Sequence, residues 1–236
     1  MSGAHRRPCK VLLTAVTTLV LGLTLAPEPA SATLLASNWT GFESGYAWGW
    51  SAKENVSVDP AYAKTGLFGV QAVSTPSQAG FLTWGSSRIA PGGQYGRIAG
   101  WVRVDSYDPA DKTVDVLTLK NAYGAQHFDF FLDDRSGKWR YDLFRDDNAY
   151  STMSAEVGEW YYVEALVDFG GETGSTYTAQ VRINGVDQPT IQSTQQVGTT
   201  VRSAWFGDRN AFGKTHTRSY DSLSVETGDS PFSFTR

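Results

Sequence analysis

The sequence predicts an all-β protein, folded as a sandwich or a barrel of antiparallel strands, and three observations support this class. Apolar and polar residues alternate with a period of two along most of the chain, as in strands that bury one face. Turn-forming residues such as Asn184-Gly185 separate the alternating runs. No helical periodicity extends beyond a turn or two, and no repeat of fixed period indicates a propeller. About ten short strands separated by turns are typical of a sandwich or a barrel.

The first element of the chain is a predicted secretory signal peptide over residues 1–32. A basic stretch (residues 5–10) precedes an apolar run (residues 11–26), and Ala-Ser-Ala at 30–32 has the form of a cleavage site. The apolar run is shorter than the ~20 residues that span a bilayer, and no basic stop-transfer cluster follows it. We therefore expect a secreted, extracellular protein, cleaved after Ala32, with no membrane insertion.

About 200 residues follow the predicted cleavage site, which is enough for one large all-β domain. We assign this domain to residues 33–227 and expect residues 228–236 to form a short loose tail. The full chain carries 20 Lys and Arg against 24 Asp and Glu, so its formal net charge is −4. Such a mildly acidic chain is a poor candidate for binding nucleic acid or an anionic membrane. The one cysteine, Cys9, precedes the apolar run, so we expect no disulfide in the secreted part.

The strand alternation is clearest in residues 97–104. Ile98, Val102 and Val104 share one face of this run, and Trp101 lies on the opposite face. The pattern predicts an antiparallel strand with one buried and one outward face. The same alternation recurs in 127–133 and 176–184, and further strands are expected near 67–73, 80–84, 113–120, 138–145, 160–169, 200–207 and 219–226.

A series of short motifs spans most of residues 41–226. They are Gly41-Phe42-Glu43-Ser44-Gly45 with Trp48 and Trp50, the block Ala63 to Val70, Gly158-Glu159-Trp160-Tyr161-Tyr162-Val163, the hairpin Arg182-Ile183-Asn184-Gly185, and Tyr220-Asp221-Ser222-Leu223-Ser224-Val225. In this order they resemble the concanavalin A-like lectin/glucanase superfamily, in particular laminin G-like jelly rolls of exported proteins. The resemblance implies a jelly-roll sandwich whose first and last strands pair, with residues 33–40 beside residues 219–226. Galactose-binding-like jelly rolls share the opening and the last strand and are the alternative, although they usually lack the Asn-Gly hairpin.

The function stays open between two classes, because this fold serves lectins, adhesion modules, glucanases and lyases alike. The paired carboxylates of laminarinase-type glucanases, in the pattern E-x-D-x-x-E, are absent. We therefore expect a secreted carbohydrate-binding (lectin-like) or adhesion module that contacts a polysaccharide or other glycan. The alternative is a polysaccharide lyase or glycoside hydrolase, because lyases that this resemblance includes use Arg, His and Tyr on a sheet surface to neutralise a uronate and move a proton.

The candidate ligand-binding residues occupy outward positions on the predicted strands. They are Trp101, Arg103, His127, Arg140, Tyr162, Glu164 and Arg182. If their strands were neighbours in one sheet, these side chains would form one aromatic and charged surface. Trp101 is the best candidate for a sugar-stacking platform, since it lies opposite three apolar residues. Ion pairing across an exposed sheet is the competing explanation for the charged members.

Two places in the sequence suggest a structural calcium ion, for which oxygen ligands are needed. Asp146 and Asp147 form an acidic cluster at a predicted hairpin tip. Glu43 and Asp221 lie near the first and last strands, which pair in related jelly rolls, and Asp221 has the parity of an inward side chain. A solvated turn would explain the first cluster equally well, and an Arg or backbone partner the second.

Overall fold

The structure is a computed structural model that describes residues 34–47, 49–85, 93–121, 126–143, 147–170, 176–194, 200–208 and 214–235. The predicted signal peptide, Trp48 and Asp146 lie outside the described residues, as does the side chain of His127. The signal peptide, its cleavage and secretion stay predictions.

The described residues form two antiparallel sheets, with strands numbered here in chain order. The nine-stranded sheet contains β1 (Leu34–Thr40), β3 (Val56–Asp59), β4 (Gly69–Ser74), β6 (Tyr95–Tyr107), β11 (Tyr161–Asp168), β12 (Tyr177–Ile183), β13 (Val186–Asp187), β14 (Ile191–Ser193) and β16 (His216–Gly228). The seven-stranded sheet contains β2 (Ala52–Glu54), β5 (Gly80–Trp84), β7 (Thr113–Asn121), β8 (Gln126–Asp133), β9 (Lys138–Leu143), β10 (Asp147–Ser154) and β15 (Val201–Asp208). The prediction of a two-sheet all-β sandwich is confirmed.

The strand order explains which side chains become neighbours. The nine-stranded sheet runs β13-β12-β11-β6-β16-β4-β3, with β1 pairing on β16 and β14 on β12. The seven-stranded sheet runs β10-β9-β8-β7-β15-β5-β2. The predicted pairing of the first and last strands is confirmed, since Asn38 of β1 lies opposite Val225 of β16.

One apolar core fills the space between the sheets, and its members follow the alternation in the sequence. Ile98, Val102 and Val104 are fully buried on the inner face of β6, and Trp101 lies half-buried on the other face. On β8 the inner residues include Phe130, whose ring stacks on that of Trp139 at 5.0 Å between centroids. Burying a side chain such as Phe stabilises the fold by ~1.5–3 kcal/mol.

The helical content of the described residues consists of two three-residue 3₁₀ turns, Pro60–Tyr62 and Pro109–Asp111. Each begins with Pro and is capped by the preceding aspartate, Asp59 or Asp108, whose carboxylate accepts a backbone N–H. Among the described residues, none forms a helix of the length and hydropathy that a membrane span needs.

Some strands were not predicted from the sequence, namely β2, β3, β10, β13 and β14. Strands β2, β3, β13 and β14 have four residues or fewer, so they contain too few residues to display an alternation. Strand β10 is polar on both faces for most of its length, because it lies at the edge of its sheet.

The C-terminal segment after β16, which we expected to be loose, packs on the outer face of the nine-stranded sheet. The backbone N–H of Thr235 donates to Glu164 Oε1 at 2.9 Å, and the guanidinium of Arg182 lies 4.2 Å from the ring centroid of Phe234. Phe232 of the same segment borders a cavity of about 190 Å³ above β11 and β12. The segment is therefore part of the folded domain.

Candidate functional site

The outer face of the seven-stranded sheet carries a polar row that crosses five strands. Asp142 of β9 lies directly opposite Asp129 of β8, which lies opposite Thr118 of β7. Thr118 in turn lies opposite Trp205 of β15, and Trp205 lies opposite Thr83 of β5. These side chains point away from the sandwich core, yet all except Asp129 are buried. We call these five residues together with Asp115 the outer recess.

A β-bulge on β7 allows Asp115 to join this face. The register between β7 and β8 shifts between Asp115 and Leu117, so Val116 is an extra residue on β7. Asp115 therefore faces outward while Val116 and Leu117 both enter the core. Two side chains of β16 bind the carbonyl groups at the bulge from the core side: Arg218 Nη1 donates to Asp115 O at 2.8 Å, and Tyr220 Oη donates to Val116 O at 2.9 Å.

Asp129 is the carboxyl group of the recess with the most strongly altered acidity. Burial and the nearby charge of Asp115 raise its pKa to about 7, against a hydrogen bond of 2.7 Å from Thr118 Oγ1 that favours the ionised form. Asp129 is therefore a partly buried carboxyl group on the outward face that titrates near neutral pH.

Asp115 behaves as one member of a carboxyl pair with Asp208, the last residue of β15. Burial, the charge of Asp208 and a hydrogen bond between the two carboxyl groups raise the pKa of Asp115 to about 6, while Lys214 and Arg218 oppose this rise. Asp115 is therefore ionised at a pH at which Asp129 still holds a proton.

Asp142 is held in place by Arg140, two residues away on β9. The guanidinium donates from Nε to Oδ1 and from Nη2 to Oδ2, both at 2.9 Å. Burial raises the pKa of Asp142, and Arg140 acts against this shift. The guanidinium also lies 5.0 Å from the ring centroid of Phe131, so a bidentate ion pair and a cation–π contact fix this side of the recess.

The other side of the recess is aromatic. The ring of Trp205 stacks on that of Phe81 at 5.5 Å between centroids, and Lys120 Nζ lies 3.8 Å from the centroid of the Trp205 ring. The hydroxyl group of Thr83, beside Trp205, is buried and has no hydrogen-bond partner among the described residues. Aromatic rings beside a few convergent polar groups are typical of a small-molecule or sugar site.

The residues predicted to bind a ligand do not form one surface. Trp101, Arg103, Tyr162, Glu164 and Arg182 lie on β6, β11 and β12 of the nine-stranded sheet, whereas Arg140 and the backbone of His127 lie on β9 and β8 of the seven-stranded sheet. Because the core lies between the sheets, the two outer faces point in opposite directions. The supposition that these strands are neighbours in one sheet was therefore wrong.

On the nine-stranded sheet, Trp101 does lie where its parity predicted. It packs edge-on against Tyr162, with 5.3 Å between ring centroids, and Lys64 Nζ lies 5.1 Å from its ring. Arg103 pairs with Asp105 on its own strand and covers the ring of Trp160 at 4.7 Å. This half-buried aromatic and cationic surface, defined by Trp101, Tyr162 and Lys64, is called the Trp101 surface below.

Two other predicted residues of this sheet have structural partners. Glu164 is fully buried and accepts hydrogen bonds from Arg97 Nε at 2.7 Å and from Thr235. Arg182 pairs with Asp187 Oδ1 at 2.6 Å and contacts the C-terminal segment. Both side chains therefore help to hold that segment on the sheet.

The carboxylates considered for calcium bind backbone groups. Asp221 is buried and its Oδ2 accepts from the N–H groups of Lys64 and Thr65 at 2.9 and 2.7 Å. Glu43 Oε2 accepts from the N–H of Leu67 at 2.8 Å. The described residues contain no group of three or more acidic, His or Cys side chains arranged to hold a metal ion. A calcium ion at Asp147, whose neighbour Asp146 is outside the described residues, stays a prediction.

Most of the outer recess was not identified from the sequence. The alternation of residues 127–133 does place Asp129 and Asp133 on one outward face, but a pair of aspartates four residues apart is more often a solvated strand end. Thr118, Trp205 and Thr83 come from separate parts of the chain, and their meeting depends on strand order. The signal that was available is the parity of each strand; the missing information was which strands are neighbours.

Comparisons with known proteins give matches to the fold. No family model and no curated protein matches the chain. Among solved structures, it is similar to an endo-β-1,4-glucuronan lyase from the fungus Trichoderma reesei, with a TM-score of 0.59 and 11% identity over 83% of this chain and 96% of that chain. It is also similar to the cellulose induced protein Cip1, with a TM-score of 0.60 and 15% identity over 84% of this chain and 100% of that chain.

A third similar structure is the alginate lyase Aly36B in complex with an alginate trisaccharide, with a TM-score of 0.52 and 12% identity over 83% of this chain and 99% of that chain. At these identities the likeness concerns the fold. The chain is a jelly-roll sandwich of the concanavalin A-like kind, and its structural neighbours include polysaccharide lyases and carbohydrate-binding domains.

Proposed function

We propose that the chain cleaves a glycosidic bond of a polysaccharide in the outer recess, with Asp129 as the proton donor. The observation that carries this proposal is the half-buried Asp129, which keeps a proton near neutral pH beside the ionised carboxylate of Asp115. Carboxyl groups whose environments alter their acidity in a recess are typical of catalytic sites.

Both chemical routes to glycan cleavage need such a donor. Whether the bond is hydrolysed or eliminated, the leaving sugar oxygen takes up a proton as the bond breaks. A carboxyl group with a pKa near the working pH is the most effective donor, since it combines the protonated state with a useful driving force. In this proposal Asp115, whose pKa is about 6, acts as the base.

The structural neighbours support a glycan as the substrate. Two of them are a glucuronan lyase and an alginate lyase, and they share this fold over most of both chains. The predicted secretion of the protein agrees with action on an extracellular polymer.

The proposal is tested by incubating the purified protein with a panel of soluble polysaccharides and measuring new reducing ends and new unsaturated ends. We expect Asp129→Asn to lower the rate by about 10²–10⁴-fold, because it removes a general acid. The matched control is Asp187→Asn, at an exposed aspartate of the opposite sheet, which is expected to leave the rate unchanged. Equal rates for Asp129→Asn and the unaltered protein would rule out Asp129 as the donor.

The Trp101 surface supports a second candidate function, glycan binding without cleavage. Trp101 is half-buried, with Tyr162 and Lys64 beside its ring, so part of an indole face is available for stacking. We expect Trp101→Ala to weaken polysaccharide binding by ~1–3 kcal/mol, by analogy with base stacking on aromatic side chains. The unfolding free energy of the Trp101→Ala variant should fall by less than the ~3–5 kcal/mol that is lost when a buried core Trp is truncated to Ala.

Titrating a polysaccharide into the Asp129→Asn and Trp101→Ala variants distinguishes the two candidate functions. Loss of binding in Trp101→Ala with a nearly unchanged melting temperature supports the second function. Normal binding together with a much lower melting temperature would make Trp101 a packing residue and remove this candidate.

A further inference from the structure

The geometry points to a second ligand site, a pocket for one neutral sugar ring on the outer face of the nine-stranded sheet. The pocket is the cavity of about 190 Å³ that Phe232 borders, and we call it the C-terminal pocket. It lies on the opposite sheet from the outer recess, so it does not depend on the proposed cleavage. It is also separate from the Trp101 surface, since Leu166 of the pocket and Tyr162 of that surface lie four residues apart on β11, about 13 Å at ~3.3 Å per residue.

The floor of the C-terminal pocket is formed by neighbouring residues of three strands. Thr178 of β12 lies directly opposite Asp168 of β11, which lies directly opposite Tyr95 of β6. In the next row Gln180 lies opposite Leu166. The parity of the strands places these five side chains on the outer face, and all of them are half-buried or exposed. A ligand can therefore reach them from solvent.

One wall of the pocket comes from the C-terminal segment, which contributes Phe232 and the proline before it. The two phenylalanines of this segment are half-buried and the residues on either side of them are exposed, so one side of the segment faces the sheet. The contact of Phe234 with Arg182 and the hydrogen bond from Thr235 to Glu164 fasten the segment beyond the wall. The wall is therefore in place before a ligand binds, which lowers the entropic cost of binding.

Four polar groups of the pocket have no hydrogen-bond partner among the described residues. They are Asp168 Oδ2, Tyr95 Oη, Thr178 Oγ1 and the side-chain amide of Gln180. The carboxylate of Asp168 is held by its other oxygen, because Gln94 Nε2 and the N–H of Gly170 both donate to Oδ1 at 2.8 Å. Burial and the charge of Asp168 raise the pKa of Tyr95, so its phenol group keeps a proton to donate. Such convergent polar groups beside apolar side chains are typical of a small-molecule site.

The charges around the pocket argue against an acidic sugar. Among the described residues that line the cavity there is no Lys, Arg or His. Arg97, on the neighbouring part of β6, donates to Glu164 Oε1 at 2.7 Å and to Glu226 Oε2 at 2.6 Å. Arg182, farther along β12, pairs with Asp187 at 2.6 Å. An acidic sugar would therefore meet the carboxylate of the pocket without an unpaired cation in this part of the described structure, and like charges repel.

The mixture of donors and acceptors favours a hydroxyl-bearing ring over an amine. An alkylammonium group only donates, so it would match Asp168 Oδ2 and leave the hydroxyl group of Tyr95 without an acceptor. Neighbouring hydroxyl groups of a sugar can donate to Asp168 and accept from Tyr95 at once, while the apolar face of the ring rests on Leu166 and Phe232. The cavity is smaller than the ~300–1,000 Å³ of sites that enclose a drug-sized ligand. It therefore takes one ring, such as a chain end or a side branch of a glycan.

The test is a titration of the ¹⁵N-labelled protein with methyl glycosides, followed by the backbone amide signals in NMR spectra. The neutral probes are the methyl glycosides of glucose, galactose, mannose and xylose, and the charged probes are methyl glucuronide and butylammonium. We expect at least one neutral probe to shift the signals of Gly96, Val167 and Thr178 to saturation, with a dissociation constant in the millimolar range, because a small ring makes few contacts. Methyl glucuronide should bind about 10-fold more weakly or not at all, because of the repulsion from Asp168.

Substitutions of the polar groups test how the ring is recognised. Asp168→Asn removes the charge of the acceptor and Gln180→Ala removes an exposed amide, so each should weaken binding of the neutral probe by about 3–10-fold. Both side chains are accessible, so the melting temperature should change little. The matched control is Glu54→Gln, at an exposed carboxylate of the opposite sheet, which should bind like the unaltered protein. Equal affinity in Asp168→Asn and the unaltered protein would overturn the role of this carboxylate.

Changes in the C-terminal segment test the wall. Phe232→Ala removes apolar surface from the pocket, so we expect about 5-fold weaker binding or more. Removing residues 231–236 deletes the wall and should abolish saturable binding. Full affinity in the truncated protein would place the sugar elsewhere and overturn the pocket.

The positions of the shifted signals separate this inference from the proposed function. Shifts confined to β7, β8 and β9 would place the sugar in the outer recess, which would overturn the C-terminal pocket and leave the proposed function standing. Saturable shifts at Gly96 and Val167 in a protein that cleaves no glycan would support the pocket while the proposed function fails. Saturation of these signals by methyl glucuronide or butylammonium and by none of the neutral probes would overturn the assignment to a neutral sugar.

Discussion

Asp129 combines an unfavourable environment with a position that faces solvent, and this predicts a trade-off between stability and activity. Its folded pKa of about 7 lies well above that of a free aspartate, so the folded state holds a proton that the unfolded chain releases. The stability that this group contributes is therefore present at pH 4 and is lost as the pH rises toward 7.

Asp129→Asn removes this pH-dependent loss. We expect the variant to be more stable than the unaltered protein by about 1–2 kcal/mol at pH 8, discounting the full shift because the group is partly exposed, and nearly equal to it at pH 4. Chemical denaturation at the two pH values measures the difference. A variant that is less stable at pH 8 would contradict the assigned protonation state.

The same two carboxyl groups predict the pH dependence of activity. Asp115, with a pKa of about 6, has to be ionised to act as base, and Asp129, with a pKa of about 7, has to be protonated to act as acid. The rate should therefore follow a bell-shaped curve with its maximum between about pH 6 and 7. The profile of kcat/KM measures it, and a rate that still rises steadily above pH 8 would argue against this assignment.

At the scale of an element, the bulge on β7 depends on donors from the opposite sheet. Tyr220 is fully buried and its hydroxyl satisfies the carbonyl group of Val116. Tyr220→Phe leaves that carbonyl without its partner, so we expect a loss of ~1–3 kcal/mol in unfolding free energy and a lower rate of glycan cleavage, since Asp115 adjoins the bulge.

The pH profile of activity distinguishes a role of Tyr220 in positioning Asp115 from a role in packing alone. If Tyr220 positions Asp115, the acidic limb of the pH profile should shift in Tyr220→Phe, whereas a purely structural role would lower the amount of folded enzyme and leave the profile unchanged. Tyr107→Phe, at the far end of β6, serves as a control tyrosine that loses a side-chain hydrogen bond to Asp134.

The C-terminal segment is a second element whose role can be tested. Removing residues 231–236 deletes the hydrogen bonds from Thr235 to the buried Glu164, which keeps Arg97 as a partner. We expect a loss of about 1–3 kcal/mol in unfolding free energy and no change in activity, because the segment and the outer recess lie on opposite sheets. A truncated protein with full stability would show that the segment contributes nothing to the fold.

At the scale of the whole molecule, stability at acidic pH depends on a buried histidine. His216 begins β16, is fully buried, and its Nε2 lies 2.9 Å from Asp111 Oδ2. Burial and the charges of Arg218 and Lys214 lower its pKa to about 4, and Asp111 opposes this change only in part. Its neutral form is therefore favoured by folding, and the stability it contributes is lost as the pH falls from about 6.5 toward 4.

His216→Gln should flatten this acid dependence. The amide keeps a donor for Asp111 and takes up no proton, so the loss of up to about 3 kcal/mol between pH 6.5 and 4 should shrink. Because Asp129 acts in the opposite direction over the same range, the comparison is cleanest in the Asp129→Asn background. An equally steep fall in the double variant would assign the acid dependence to other groups.

The sequence by itself determined the fold class and the face on which most strand residues lie. Alternation is a local property, since successive side chains of a strand point to opposite sides, and it correctly assigned Ile98 to the core and Trp101 to the outside. The pairing of the first and last strands was implied by the resemblance to jelly rolls.

The tertiary structure decided which outward side chains meet. Strand pairing between distant parts of the chain brings Thr83, Thr118 and Trp205 side by side, and it separates Trp101 from Arg140 by the thickness of the sandwich. A bulge, which inserts one residue and reverses parity, then turns Asp115 toward the recess. Strand order and register depend on contacts between residues far apart in the chain, so a pattern within one strand contains no information about its neighbours.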